Sequence, residues 1–375
     1  MKNKVNTDTL IRTQQELSEL IGCPGREQRV REYIRSRIAP FVDSVTEDRA
    51  GNLIAVKSAA KASAPTILLD AHMDEVGFMV NHIEPDGALR VSPLGGIDPS
   101  LLPGTAVQFL PVEGARISAG EPLIGTFGSI PPHAKSSLGS NSGTLKIENL
   151  TVDIGAESRQ QAFEMGIDLG ATGTFYTPFQ RLAKNSLMGK AFDNRSGCTI
   201  LLHTAELIAS EPIEATIVFL FSVSEEYQQL GVGSLDLPGQ PDIALVLENT
   251  TATDTPGTPA HFKITEMGKG PAITIADNKY IVQEKVVAAL TQCARRNSIP
   301  WQYKKPVYGG TNAAALSTGL TGVPTGVVSV PCRYIHSPAA VLRIKDLEHT
   351  AELVYRFAAE YAQQNEQEAP DANSL

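Results

Sequence analysis

At 375 residues the chain exceeds what one ordinary hydrophobic core organises, so two domains are expected. It is 42% hydrophobic and 19% charged, which excludes a disordered chain, and a formal net charge of -9 without a basic cluster speaks against a nucleic-acid partner. Four cysteines, Cys23, Cys198, Cys293 and Cys332, lie far apart with no CxxC pair, as in a reduced intracellular protein that uses them as small core residues. The N-terminus MKNKVNTDTLIRTQQELSEL is too polar for a signal peptide, and no apolar run approaches the ~20 residues of a membrane helix. A cytoplasmic protein with no membrane partner is the expectation.

In chain order, Leu10, Leu17, Leu20 and Ile21 sit at helical spacing, so Asp8 to Leu20 is read as an amphipathic helix. Cys23-Pro24-Gly25 is a turn, and Arg26 to Ile38 reads as a second helix with Val30, Ile34 and Ile38 four apart. Asp43 to Val56, around the Ala50-Gly51-Asn52 turn, suggests a strand hairpin. Thr66 to Leu69 is a short buried strand ending in Asp70-Ala71-His72-Met73-Asp74.

From Val76 to Lys184 the character changes. Gly77 to Ile83, Ala88 to Val91, Ala106 to Leu110 and Thr144 to Ile147 are strand-like, with Gly and Pro turn signals between them. Only Ser158 to Met165 looks helical. This stretch is expected to be a small all-β module, residues 76–184, inserted into an α/β catalytic domain made of residues 1–75 and 185–363. After Asn185 the α/β alternation returns. Helices are expected at Cys198 to Ile208, Ile281 to Arg296, Asn312 to Thr318 and Leu347 to Tyr361. Strands are expected at Ile217 to Val223, Ile243 to Leu247, Ala272 to Ile275 and Thr325 to Val330. Residues 364–375 read as a polar, disordered tail.

The stretch Ile217 to Gly231, IVFLFSVSEEYQQLG, organises the rest. Its β-branched and aromatic opening is that of a strand buried on both faces, and it delivers Glu225 and Glu226 to the strand's carboxyl end. Ligands of open α/β sheets bind there. Neighbouring carboxylates that point apart can divide the work, one holding a metal and one facing a water as general base. A solvated loop is the plain alternative. Four further spots place metal-binding side chains after a buried segment or beside a Gly-rich turn: His72 with Asp74, Asp193, Glu248 and His336. His72 and Asp74 face the same side of an extended segment, so the carboxylate can fix the imidazole tautomer. Asp193 alone would be read as a helix N-cap, and a lone His336 as a structural histidine.

Taken together, six ordered segments resemble one family. AHMDEVGFMV (71–80), GKAFDNRSG (189–197), SVSEEYQQLG (222–231), LENTTATDTPG (247–257), GGTNA (309–313) and RYIHSP (333–338) match the M42 metallo-aminopeptidases, relatives of glutamyl and leucyl aminopeptidases that form tetrahedral shells. The resemblance implies a zinc-peptidase-like α/β/α domain with an inserted small β-barrel-like domain. It implies two divalent ions per chain, Zn²⁺ or Co²⁺, suited to imidazole and carboxylate ligands. His72 and Glu248 would be terminal ligands on one metal, or one on each, Asp193 the bridge, and Glu226 with His336 the ligands completing the other ion. Glu225 would be the general base and Asp74 would orient His72. Short peptides would be the substrates, and the inserted module would join subunits into a homo-oligomer, a dodecamer. Family members usually carry Gln at Ser224, Gly at Gln228, Asp at Asn312 and Glu at Ala340. None of these is a ligand position, but Asn312 and Ala340 bear on recognition of a substrate's amino terminus. The alternatives are a carboxypeptidase or deacylase of the same architecture and a catalytically weak shell protein. Glycoside hydrolysis needs carboxyls facing each other ~5–9.5 Å apart, which adjacent glutamates do not suggest.

Overall fold

The computed structural model describes residues 5–112, 121–129, 145–183, 185–211, 213–233, 235, 237 and 239–367. Helices α1 (Thr7–Glu19) and α2 (Gln28–Ile38) open the chain, followed by β1 (Ser44–Glu47), β2 (Leu53–Lys57) and β3 (Thr66–His72). Next come β4 (Gly77–Ile83), β5 (Leu89–Leu94), β6 (Ala106–Phe109), β7 (Leu123–Phe127) and β8 (Val152–Asp153). Then follow α3 (Arg159–Glu164), β9 (Thr172–Phe175), β10 (Gln180–Leu182), β11 (Ser186–Gly189) and α4 (Phe192–Ser210). The rest comprises β12 (Thr216–Ser222), β13 (Ile243–Thr251), β14 (Ala272–Thr274), α5 (Glu284–Arg296), β15 (Gln302–Lys304), α6 (Ala313–Gly319), β16 (Thr325–Arg333), β17 (Ala340–Arg343) and α7 (Ile344–Gln367).

The large sheet runs β1-β2-β12-β3-β13-β16-β17-β11-β10, with β14 and β15 added beside β16. The apolar run of β12 explains its central place. Ile217, Phe219 and Phe221 face one core with α1, α4 and α7, while Val218 and Leu220 face a second core under α6. Both faces are covered, as a strand without polar alternation requires. Strands β12, β3, β13 and β16 run parallel, with Ser222 opposite His72 and Glu248 opposite Ser329. Strand β17 is antiparallel to β16 and β11 antiparallel to β17, so β11 also points the same way. Five carboxyl ends therefore meet one edge.

Strands β4 to β9 close a barrel in the order β4-β5-β8-β7-β6-β9. Phe78 fills its centre, edge-on to Phe127 at 5.0 Å and to Phe175 at 5.5 Å. At the junction Gly77 is required: a Cβ there would lie 2.5 Å from both Cys23 Sγ and the Gly173 carbonyl. The barrel is locked to the sheet domain through buried Glu75. Lys190 Nζ donates to both of its oxygens at 2.7 and 2.9 Å, Arg195 Nη2 stands 3.3 Å away, and Thr174 Oγ1 of β9 donates at 2.8 Å.

Three expectations need correction. Of Thr144 to Ile147, Thr144 lies outside the described residues, and Ile147–Asn149 forms a 3₁₀ turn rather than a strand. That turn lets Ile147 alone drop into the barrel core. The fifth helix begins at Glu284, not Ile281, because Ile281 and Val282 pair with Ala276 and Ile275 instead. The last helix runs on to Gln367, beyond the predicted start of the tail, as its Gln- and Glu-rich end permits; residues 368–375 lie outside the described residues. Strand β10, within the predicted insert, pairs with β11 at the edge of the large sheet. Among the described residues no helix is long and apolar enough to cross a membrane.

Candidate active site

The shared carboxyl edge brings all seven singled-out side chains together. His72 ends β3, Glu225 and Glu226 follow β12, Glu248 lies near the end of β13, and His336 follows β16. Asp193 stands at the start of α4, where it and Asn194 leave helical geometry. It does not cap the helix. Asn194 takes that role, accepting from the Gly197 N–H at 3.0 Å and donating to the Leu247 carbonyl at 2.7 Å. The Asp193 carboxylate is thus free to face the site, with Oδ1 3.5 Å from His72 Nε2 and Oδ2 3.5 Å from His336 Nε2.

Two imidazole–carboxylate pairs flank it. His72 Nε2 is 3.4 Å from Glu248 Oε2, and His336 Nε2 is 3.0 Å from Glu226 Oε1. Glu225 Oε2 stands 3.9 Å from His72 Nε2, and its Oε1 accepts from Gln229 Nε2 at 3.0 Å. Asp74 is fully buried, and its two oxygens accept the backbone N–H groups of Glu225 and Glu226, each at 3.0 Å. His72 Nδ1 meets the Asp74 backbone carbonyl at 3.1 Å and the carboxylate at 3.4 Å. His336 Nδ1 meets the carbonyl of Gly96, a barrel residue between β5 and β6, at 2.9 Å. Each of these contacts turns Nε2 toward the site.

The electrostatics favour added positive charge. Burial pushes Glu248 and Glu226 above the ordinary carboxylate range, and it pushes Glu225 to about 7. Burial opposes charge on the imidazoles too, yet Glu248, Asp193 and Asp74 hold His72 well above its usual value. Asp193 and Glu226 likewise raise His336 to about 11, again against burial. Asp193 Oδ1 and Glu248 Oε1 are buried without a hydrogen-bond partner. Acceptors left unmade in a crowd of carboxylates are costly unless a cation completes them. His72, Asp193 and Glu226 each offer a ligand atom, all within 4.8 Å of one another. The donor set fits divalent metal.

These groups line a cavity of about 520 Å³, together with Asn249, Lys304, Gln229 and the Tyr308–Thr311 loop. Neither Asn312 nor Ala340 lines it. Asn312 is buried, donating to Asp70 Oδ2 and Ser222 Oγ at 3.0 Å each, and Ala340 sits in β17 opposite Gly189. Sequence reasoning missed Gly96, Asn249, Gln229 and Lys304. Gly96 is a backbone contact across 240 positions, and neither it nor the burial of Lys304 beside the exposed Tyr303 has a sequence signal.

A closed barrel joined to a covered sheet, with this cluster on the carboxyl edge, is the build of a metallopeptidase-type hydrolase. Residues 51–353 match the M42 glutamyl aminopeptidase family, and the chain belongs to that family. It is 31% identical over 325 residues to a lysyl aminopeptidase of Pyrococcus furiosus, covering 86% of this chain and 89% of that one. It is 30% identical over 337 residues to a glutamyl aminopeptidase of Lactococcus lactis, covering 88% and 90%. Among solved structures it is similar to a Pyrococcus horikoshii TET1 peptidase that assembles into a tetrahedron or a large octahedral shell, with a TM-score of 0.82, 30% identity and coverage of 94% and 99%. The chain is an aminopeptidase-family hydrolase.

Proposed function

We propose that the protein removes N-terminal residues from short peptides, using two divalent cations, Zn²⁺ or Co²⁺. The observation that carries this reading is the Asp193 carboxylate, whose two oxygens face two different imidazole–carboxylate pairs. His72 and Glu248 would hold one ion, Glu226 and His336 the other, with Asp193 between them. Such ions polarise a peptide carbonyl and acidify a water. Glu225, bonded by Gln229 and held in place by its backbone N–H on Asp74, takes the proton of the attacking water. It then returns that proton to the departing amine as the C–N bond breaks. A panel of aminoacyl chromogenic substrates with Zn²⁺, Co²⁺ or Mn²⁺ tests the reading. A free-amine peptide should be cleaved and its N-acetylated form spared; equal cleavage of both would favour a deacylase or endopeptidase.

We also propose that residues 76–184 act as the assembly module of a dodecamer. What supports this is the shell assembly of the TET1 peptidase and a barrel whose strands supply no ligand side chain. The relatives above are named for opposite side-chain classes, so family membership leaves the preferred residue open.

A further inference from the structure

One side chain joins three separate loops at the Glu225 carboxylate. Gln229 lies between β12 and β13 and lines the cavity. Its Nε2 donates to Glu225 Oε1 at 3.0 Å and to the Thr311 carbonyl at 2.6 Å, and its Oε1 accepts from Lys279 Nζ at 3.0 Å. An ammonium has only donors and an ionised carboxylate only acceptors, so these contacts fix which way the amide points. Turned over, it would set oxygen against Glu225 and Thr311 and its NH₂ group against Lys279. With Oε1 of Glu225 held in this way, Oε2 is left facing His72 Nε2 at 3.9 Å.

The contacts close a ring. Thr311 Oγ1 donates to Asp277 Oδ2 at 3.2 Å, and Asp277 Oδ1 accepts the backbone N–H of Lys279 at 2.7 Å. From Lys279 the ring returns to Gln229. It ties the segment after β12 to the β14–α5 and β15–α6 connections. The backbone is shaped for it. Gln228 and Gln229 both stand in the left-handed region, with φ of +67° and +56°, which a β-carbon disfavours and which persists only where the surroundings hold it. At Gly310 a Cβ would lie 3.2 Å from Lys279 Cδ, so glycine lets the lysine stem lie close against this loop.

We propose that Gln229 is the positioning residue of the general base, and that Lys279 acts on the reaction through the Gln229 amide. This rests on Glu225 being the base. A glutamate side chain turns about three bonds, and proton transfer needs its oxygen within hydrogen-bond reach of the attacking water. A misplacement of about 1 Å costs on the order of 10²-fold in rate.

The test is a set of single and double variants assayed on one aminoacyl p-nitroanilide, with metal content measured on each sample. Gln229→Leu should lower kcat by about 10–100-fold, with KM within about twofold and metal content as in the wild type. Lys279→Met changes an exposed side chain and should lower kcat by about 3–10-fold. Lys279→Arg keeps a donor and should recover most of that loss. The double variant should match Gln229→Leu alone, because the lysine acts only through the amide. A crystal structure of Gln229→Leu gives a readout that does not pass through turnover: Glu225 should leave its wild-type rotamer. Losses that multiply in the double variant, a full kcat in Lys279→Met, metal loss in Gln229→Leu or an unmoved Glu225 would each overturn the proposal. Glu225→Gln separates this from the reading beneath it. Wild-type turnover in that variant refutes the base itself. If its turnover falls and adding Gln229→Leu brings a further loss of full size, the base stands and the positioning role is overturned.

Discussion

Asp74→Asn is a nearly isosteric change with a calculable consequence. The native carboxylate accepts two backbone N–H bonds, from Glu225 and Glu226, at 3.0 Å each in a fully buried position. The amide keeps one acceptor, but its NH₂ group faces the second N–H, which is left unpaired. A hydrogen bond to a charged partner is worth about 1.5–3 kcal/mol, and the surviving bond loses its charge assistance, so about 2–4 kcal/mol is at stake. Both donors belong to the loop that carries Glu225 and Glu226, so the loss falls on their placement. That range corresponds to a drop of about 30- to 1000-fold in kcat/KM. The Asp74 backbone carbonyl still meets His72 Nδ1 in the variant, so His72 should keep its orientation. Steady-state kinetics on one aminoacyl substrate, with metal content measured on the same sample, checks this. A variant within about threefold of wild type in kcat/KM would refute the reasoning, because the loop would then not depend on Asp74.

Glu75→Gln leaves Lys190 and Arg195 buried without their counter-charge, and should destabilise the protein by about 3–5 kcal/mol in a denaturant titration. A loss under about 1 kcal/mol would mean that the barrel junction is held by packing alone. His203 is buried, and burial lowers its pKa to about 4, below the 6.5 of an unfolded chain. The unfolded state therefore takes up the proton first. The stability present above pH 6.5 is lost as pH falls toward 4, by about 3 kcal/mol in total. His203→Gln should remove most of that dependence; an unchanged stability–pH curve would contradict it. Replacing residues 76–184 with a Gly/Ser linker should give smaller particles by light scattering than the wild type, and a wild-type monomer over a wide concentration range would refute assembly through the barrel.

What was legible in the sequence follows a physical rule. His72, Glu248, His336 and the Glu225–Glu226 pair each follow an apolar run of the kind only a doubly covered strand tolerates, and parallel strands bring such ends to one edge. Asp193 was ambiguous by itself, because an acid opening a helix is ordinarily a cap. Only the neighbouring Asn194, which takes the cap role, resolves it. Roles that depend on chain segments brought from afar left no trace. The Gly96 carbonyl on His336 is a main-chain contact, and Asn249 and Lys304 come to line one cavity only in the folded chain. Ile147 misled for a local reason. Its β-branched neighbourhood reads as strand, but one buried residue on a 3₁₀ turn meets the barrel's need. Asn312 was expected to bear on the substrate's amino terminus, yet its NH₂ group donates to Asp70 and Ser222 and it does not line the cavity.

Two adjacent glutamates divide the labour, Glu226 as ligand and Glu225 as base, so the direct test is elemental analysis of Glu225→Gln beside its turnover. The expected result is two divalent ions per chain, as in the wild type, with turnover lowered by about 10²–10⁴-fold. One ion or none bound to Glu225→Gln, or two ions with turnover near wild type, would contradict it.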